Sequence, residues 1–277
     1  MELEITDKLA ALAHPNRLAL FRLLMRRYPD GVPAGEIASA LEFKPNTASA
    51  YLSVLKQAGL ISQKRIGTSL LYTADLPGLR GMFDYLLSGC CQNRPDICVP
   101  IAGEENVMPT IERPLNVLFI CTGNSARSLL AEAILNHEGA GKFRAYSAGT
   151  RPSAGPRPEV IALLQAKGYG TAELHSKDLE RFAAEDAPQM DFIFTVCDHA
   201  ANEECPAWPG QPMSAHWGLA DPVKAEGSDA ERRLAFQQAY GLLRNRIKAF
   251  VALPFETLDR MSLQHQVDGI GRVNSSD

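Results

Sequence analysis

Apolar residues recur at helical spacing through "LAALAHPNRLALFRLLMRR", where Leu9, Leu12, Leu18, Phe21 and Leu24 predict a buried helical face. A Pro/Gly break covers 29–35. Beyond it "AGEIASAL" predicts a short helix and "KPNTASAYLSVLKQAGL" a second, with Asn46 as N-cap and Gly59 past its end. In "ISQKRIGTSLLYTAD" two β-prone arms flank Ile66–Gly67, the pattern of a hairpin. Short helix, turn, second helix and hairpin make a winged helix-turn-helix, so residues 1–98 are expected to be a mainly α domain of that kind.

The segment 99–114, "VPIAGEENVMPTIERP", has three prolines and no amphipathic period, and reads as a linker. From 115 the pattern changes. "LNVLFIC", "FRAYSAG" and "MDFIFTVC" predict strands; "ARSLLAEAILNHE", "PEVIALLQAKG" and "DAERRLAFQQAYGLLRNRIKAFVAL" predict helices between and after them. Such alternation predicts an α/β domain over 115–255, a parallel sheet with helices on both faces. Residues 256–277 are polar and are expected to be a loosely packed tail. The whole is a multidomain protein, and 277 residues suit two domains.

Charge sharpens the division. Residues 1–100 carry 11 Lys and Arg against 9 Asp and Glu, and the remainder 17 against 23. Between Phe43 and Ala74 there is no acidic residue, while Lys44, Lys56, Lys64 and Arg65 are basic. These four, with Thr47 and Ser49 on the second helix of the motif, are the candidate contacts to operator DNA. A solvated basic face is the alternative. No apolar run approaches the roughly 18 residues of a membrane span, so no membrane partner is expected. The start "MELEITDKLA" lacks the basic and apolar regions of a secretion signal, which gives an expectation of the cytoplasm. Six cysteines there point to metal or redox chemistry rather than structural bridges. They fall into two groups: Cys90, Cys91 and Cys98, then Cys121, Cys197 and Cys205.

Ligands of parallel sheets bind beyond the carboxyl ends of the strands. Cys121 and Cys197 each end a predicted strand and should face one crevice, with Asp221 in a following loop. Between Cys121 and Arg127 the small residues Thr122, Gly123, Asn124, Ser125 and Ala126 let backbone N–H groups curl at a helix start into a nest for a tetrahedral oxyanion. Arg127 adds a hydrogen-bonding fork, Ser128 donates to the sulfur, and the positive field is expected to lower the pKa of a nucleophilic Cys121. A buried cysteine followed by an unrelated helix start is the alternative.

With "CTGNSARS", "VCDHAANEEC" and "HWGLADP", residues 115–255 resemble the low-molecular-weight tyrosine phosphatase family, and more closely its arsenate-reductase branch. The resemblance implies that Cys121 attacks arsenate, that Asp221 is the general acid, and that Cys197 then attacks Cys121 and expels arsenite. Cys205 would next attack Cys197 and pass the disulfide to thioredoxin. No tightly bound cofactor is implied. The segment is one residue longer than in thioredoxin-linked reductases, which leaves glutaredoxin or a small thiol as the alternative donor and Cys205 as a bystander. Cys197 and Cys205 would also lie about 12 Å apart on a rigid helix, too far for a disulfide, so the segment is expected to loop. The aromatic residues beside the acid in tyrosine phosphatases are absent from "DPVKAEGS". The family further implies a potassium ion on Asn124, Glu132, Ser147 and Asp178, with loop bracing as the equal alternative.

"LAHPNRLALFRLL", "GEIASAL" and "LKQAGLI" resemble the arsenic-responsive ArsR class of winged-helix repressors. That resemblance implies a homodimer through the N-terminal domain that releases DNA when metal binds. The short helix holds no cysteine, whereas "CCQNRPDIC" offers Cys90, Cys91 and Cys98, three soft thiolates suited to arsenite or antimonite. The expectation is a bifunctional arsenic-resistance protein, an arsenite-responsive repressor fused to a thiol-dependent arsenate reductase. Two alternatives stand: a repressor fused to a phosphatase, and a pure regulator with a non-catalytic oxyanion-binding domain.

Overall fold

A computed structural model describes residues 2–90, 113–184, 186–203, 208, 210 and 212–272. The chain divides into two compact units, before and after the 104–105 peptide bond.

The first unit runs α1 (Glu2–Leu12), α2 (Pro15–Arg27), β1 (Val32–Pro33), α3 (Ala34–Ala40), α4 (Pro45–Gln57), β2 (Ile61–Ile66), β3 (Ser69–Ala74) and α5 (Leu76–Tyr85). Its core gathers Leu20, Leu23, Leu24, Ile37, Leu52, Leu55 and Leu60. The long amphipathic run is two helices, because the chain turns at Ala13–His14 ahead of Pro15. Their faces need not stay in register, and Leu9 and Leu18 are accordingly exposed. The helix-turn-helix pair is α3 and α4. Pro45 takes the first turn of α4, where its missing N–H costs nothing, so Lys44 rather than Asn46 is the N-cap. β2 and β3 form the expected hairpin, from Ile61 opposite Ala74 to Ile66 opposite Ser69. β1 adds a third strand through Val32 and Pro33. Two residues inside a Pro/Gly break carry no periodicity that could announce it.

The second unit runs β4 (Leu115–Cys121), α6 (Arg127–Glu138), β5 (Phe143–Gly149), α7 (Pro158–Ala166), β6 (Phe192–Thr195), α8 (Asp198–Asn202), β7 (Met213–His216), α9 (Asp229–Val251) and α10 (Arg260–Arg272). The strands form one parallel sheet in the order β5-β4-β6-β7. All four therefore end at the same edge. α9 starts at a capping box in which Ser228 and Glu231 satisfy each other's backbone N–H. The core is aromatic at its centre: Phe194 stacks on Trp217 at 4.1 Å, and Phe250 meets Phe194 edge-on at 5.3 Å.

The C-terminal segment corrects the expectation of a loose tail. Residues 260–272 are a helix that buries Leu263, Val267 and Ile270. Two buried donors call for it. The Trp217 indole N–H donates to the Val267 carbonyl at 3.1 Å, and Arg246 donates to the carbonyls of Trp217 at 2.9 Å and Gly271 at 2.7 Å. Leaving such groups unpaired inside the core would cost about 1–3 kcal/mol each. Gly271 lies so close that a Cβ there would sit 2.6 Å from the His216 carbonyl oxygen. Four apolar positions among polar ones made the segment look soluble, because its partners are distant in sequence. Leu263→Ala is expected to cost about 2–5 kcal/mol, read as a lower urea midpoint of the second unit. A loose tail would leave that midpoint unchanged.

Candidate active site

The parallel sheet brings the ends of β4, β5, β6 and β7 together, and the predicted loop occupies that edge. Residues 122–126 leave β4 and enter α6 at Arg127. A strap from the segment after β5 holds them. Its N–H groups at Thr150, Arg151, Ser153 and Arg157 donate to the carbonyls of Cys121, Thr122, Gly123 and Ser125 at 2.8–3.1 Å. Those four carbonyls are thereby turned to the strap. The Asn124 N–H donates to Cys121 Sγ at 3.1 Å. Close approach dictates the glycines: a Cβ on Gly149 would lie 2.6 Å from the Thr122 carbonyl oxygen, and one on Gly123 would lie 2.9 Å from Ser153 Oγ.

Asn124 adopts φ 43°, in the left-handed region, where Asn is among the residues best tolerated. Its side chain is completely buried and fully used. Nδ2 donates to Ser128 Oγ at 2.8 Å and Ser147 Oγ at 2.7 Å, and Oδ1 accepts from the Lys177 N–H at 2.6 Å. Ser128 Oγ lies 2.9 Å from Cys121 Sγ.

Cys121 and Cys197 are both buried, and Cys197 Sγ lies 3.4 Å from Thr122 Oγ1. Cys197 is the N-cap of α8, its sulfur accepting from the Ala200 N–H at 3.4 Å. α8 ends at Asn202, so the helix that starts at Cys197 stops short of position 205. Cys205 itself lies outside the described residues.

The expected lowering of the Cys121 pKa is corrected. Burial pushes this thiol up, with the bonds from Ser128 and the Asn124 N–H opposing the rise and the nearby Cys197 adding to it. The cation expected to face the sulfur is engaged elsewhere: Arg127 pairs with Asp221 at 2.8 Å and donates to the Leu219 carbonyl at 3.1 Å. Arg127 and the candidate acid are thus one ion pair at the mouth of the loop.

Several groups carried no signal in the sequence. Lys177 Nζ meets the Glu132 carboxylate at 2.9 and 3.2 Å and the His175 carbonyl at 3.1 Å. Ser176 Oγ donates to the Asn124 carbonyl at 2.7 Å. His216, at the end of β7, joins Thr195 at the end of β6 to Asp198 at the start of α8, at 2.8 and 3.0 Å. Apart from the bond to His175, two positions away, each of these bonds spans at least 18 positions of sequence, beyond any local motif.

The residues implied for potassium do not fit that ion. Asn124, Ser147 and Glu132 are brought together, but the Lys177 ammonium already takes both oxygens of Glu132. Asp178 is used elsewhere, capping the turn over Leu179–Phe182 through the Glu180 N–H at 2.9 Å.

In the first unit Lys44, Ser49 and Lys56 are exposed on and beside α4, Thr47 is half-buried there, and Lys64 and Arg65 are exposed on β2. Cys90 is exposed just after α5, whereas Cys91 and Cys98 lie outside the described residues.

Compared with known proteins, residues 116–264 match the family described as low molecular weight phosphotyrosine protein phosphatase, and residues 12–63 match a helix-turn-helix domain. Arsenate reductases from Halalkalibacterium halodurans and Shouchella clausii are each 34% identical over 134 residues, 48% of this chain and 93% of theirs. The arsenate reductase of Bacillus subtilis is 31% identical over the same length. Among solved structures, the arsenate reductase of Archaeoglobus fulgidus is 26% identical over 50% of this chain and 99% of its own, with a TM-score of 0.40.

A raised thiol carries less thiolate at a given pH. Without a bound anion, alkylation of Cys121 by iodoacetamide should therefore rise with a midpoint above the ordinary cysteine range of about 8.5. Peptide mass mapping across pH 6–10 checks this against exposed Cys90. A Cys121 midpoint below that of Cys90 would contradict the account.

Proposed function

The chain belongs to the low molecular weight phosphotyrosine protein phosphatase family through residues 116–264, and we propose that its second unit works there as an arsenate reductase, joined to an arsenite-responsive repressor. The observation that carries this reading is the second buried thiol: Cys197 Sγ sits 3.4 Å from Thr122 of the anion loop. A phosphatase needs a nucleophile, an anion cradle and an acid. Reduction of arsenate needs two electrons as well, and paired thiols hold them.

The steps follow from the site's own groups. Arsenate enters as a dianion and draws Arg127 from Asp221 onto its oxygens. The raised Cys121 thiol gives its proton to a bound oxygen, and Ser128 donates to the sulfur left behind. That sulfur attacks arsenic; Asp221, parted from its cation, takes up a proton from solvent and passes it to the leaving oxygen, which departs as water. Cys197, as thiolate, then attacks Cys121 Sγ. The sulfur–sulfur bond forms, the sulfur–arsenic bond breaks, and its electron pair stays on arsenic, which departs as arsenite. Attack of a thiolate on an activated sulfur is the elementary step of thiol–disulfide exchange. Cys205 and a thioredoxin-type dithiol would carry the disulfide outward.

In the first unit, Lys44, Thr47, Ser49, Lys56, Lys64 and Arg65 would meet operator DNA through α4 and the hairpin, where the exposed positive charges of Lys44, Lys56, Lys64 and Arg65 suit phosphates. Cys90, Cys91 and Cys98 would bind arsenite or antimonite as three thiolates. Exposed Leu3 on α1 and exposed Phe83 on α5 give a homodimer apolar surface to cover.

The reduced protein with thioredoxin, thioredoxin reductase and NADPH is expected to form arsenite over many turnovers, and Cys197→Ser to lose this while still binding phosphate. Hydrolysis of an aryl phosphate with no arsenite would make it a phosphatase. Binding without either reaction would make it a regulator alone. Arsenite should release operator DNA from the full chain in a gel-shift titration, and Cys90→Ser should require at least about tenfold more arsenite. Equal release by both proteins would remove Cys90 from the sensor.

A further inference from the structure

The chain of bonds behind the nucleophile has a direction set at its far end. The Glu132 carboxylate only accepts, so the Ser147 hydroxyl must donate to it, at 2.5 Å. Ser147 Oγ therefore accepts from Asn124 Nδ2. The second hydrogen of that amide goes to Ser128 Oγ. Ser128's own hydrogen remains available for Cys121 Sγ, 2.9 Å away. What holds Glu132 as an acceptor in this nearly dry place is Lys177. Both side chains are largely buried, at 6% and 12% exposure, and a carboxylate there needs a fixed positive charge beside it. The Lys177 ammonium meets two carboxylate oxygens and the His175 carbonyl, the kind of oxygen set that a hard cation also takes.

We propose that Lys177 is the built-in cation of this site: a positioning residue that replaces a free potassium ion and, through Glu132, Ser147 and Asn124, orients the Ser128 hydroxyl at Cys121 and holds the anion loop in its binding shape. The backbone supports the same role, since the Lys177 N–H donates to Asn124 Oδ1 and Ser176 to the Asn124 carbonyl. One short segment thus fixes Asn124 from two sides while its ammonium sets the polarity of the relay. The proposal rests on reading residues 121–127 as an oxyanion loop, and not on the reduction step.

The test uses the full-length protein and inorganic phosphate as the probe, titrated calorimetrically in potassium chloride and in choline chloride at equal ionic strength. Arsenite formation is followed in the same buffers. Wild-type phosphate affinity and turnover are expected to agree between the two salts within about twofold. Lys177→Ser, which leaves the oxygen donors and opens room for an ion, should bind phosphate about tenfold more weakly in choline and regain affinity in potassium. That rescue is a response a merely structural lysine would not give.

Wild-type binding that tightens several-fold with potassium overturns the proposal, as does a Lys177→Ser protein unaffected in choline. Loss in both salts with an unchanged melting temperature overturns it too. Should the variant fail to fold, the wild-type comparison still decides. Phosphate binding that follows the expected pattern while no arsenite forms would overturn the reductase reading and leave this one standing. Absence of phosphate binding in either salt would overturn the oxyanion loop on which it rests.

Discussion

The site depends on one buried amide. Asn124 sits at φ 43°, a conformation that costs a non-glycine residue on the order of 1–3 kcal/mol unless its surroundings enforce it. Here they do. Two hydroxyls, the Lys177 N–H and Ser176 engage its side chain and carbonyl, and its own N–H meets the sulfur of Cys121. The left-handed residue is what turns the backbone N–H toward the nucleophile. Replacing it by alanine would keep the chain length and lose the enforcement, so the loop would relax away from this geometry.

Around that amide the charges are arranged in closed pairs. Lys177 answers Glu132 and Arg127 answers Asp221, and burial raises the Cys121 thiol. In the resting loop Arg127 is therefore paired and Cys121 favours its thiol form. A dianion changes this because it competes for Arg127 and offers oxygens that accept the thiol proton. On the proposed mechanism the substrate activates its own nucleophile, and the same exchange separates Asp221 from its cation when a proton donor is required. The reactive sulfur is then exposed to chemistry only with its target in place.

Much of this was legible in the sequence, and what was not has a physical reason. "VLFIC" followed by small residues, Arg127 and Ser128 marks a strand, a loop and a helix start through local patterns, and the structure has those elements at those positions. β7 escaped notice because Met213–His216 holds only one large apolar residue and no β-branched one. α10 escaped because its worth lies in accepting bonds from Trp217 and Arg246, which no local period encodes. Lys177 and the Arg127–Asp221 pair escaped for the same reason, their bonds reaching 45 and 94 positions along the chain. The sign of the Cys121 shift was misjudged because sequence identifies a neighbouring arginine but not the carboxylate that engages it.

On the proposed reading the two cysteine groups divide arsenic's two states between them. Arsenate is a tetrahedral anion whose oxygens face outward, so it is held by N–H groups and a guanidinium, and only one sulfur needs to reach the arsenic. Arsenite is neutral and soft at arsenic, and its natural partners are several thiolates at once. A single pocket cannot be good at both. Donors placed for an oxyanion keep other sulfurs away from the centre, and a cluster of thiolates repels a dianion. On the proposed reading the division into two units follows from that conflict: the oxyanion loop at Cys121 discharges a product it binds poorly, and the thiols at Cys90 and beyond are matched to that product. The protein would then respond to what it has made rather than to what it was given.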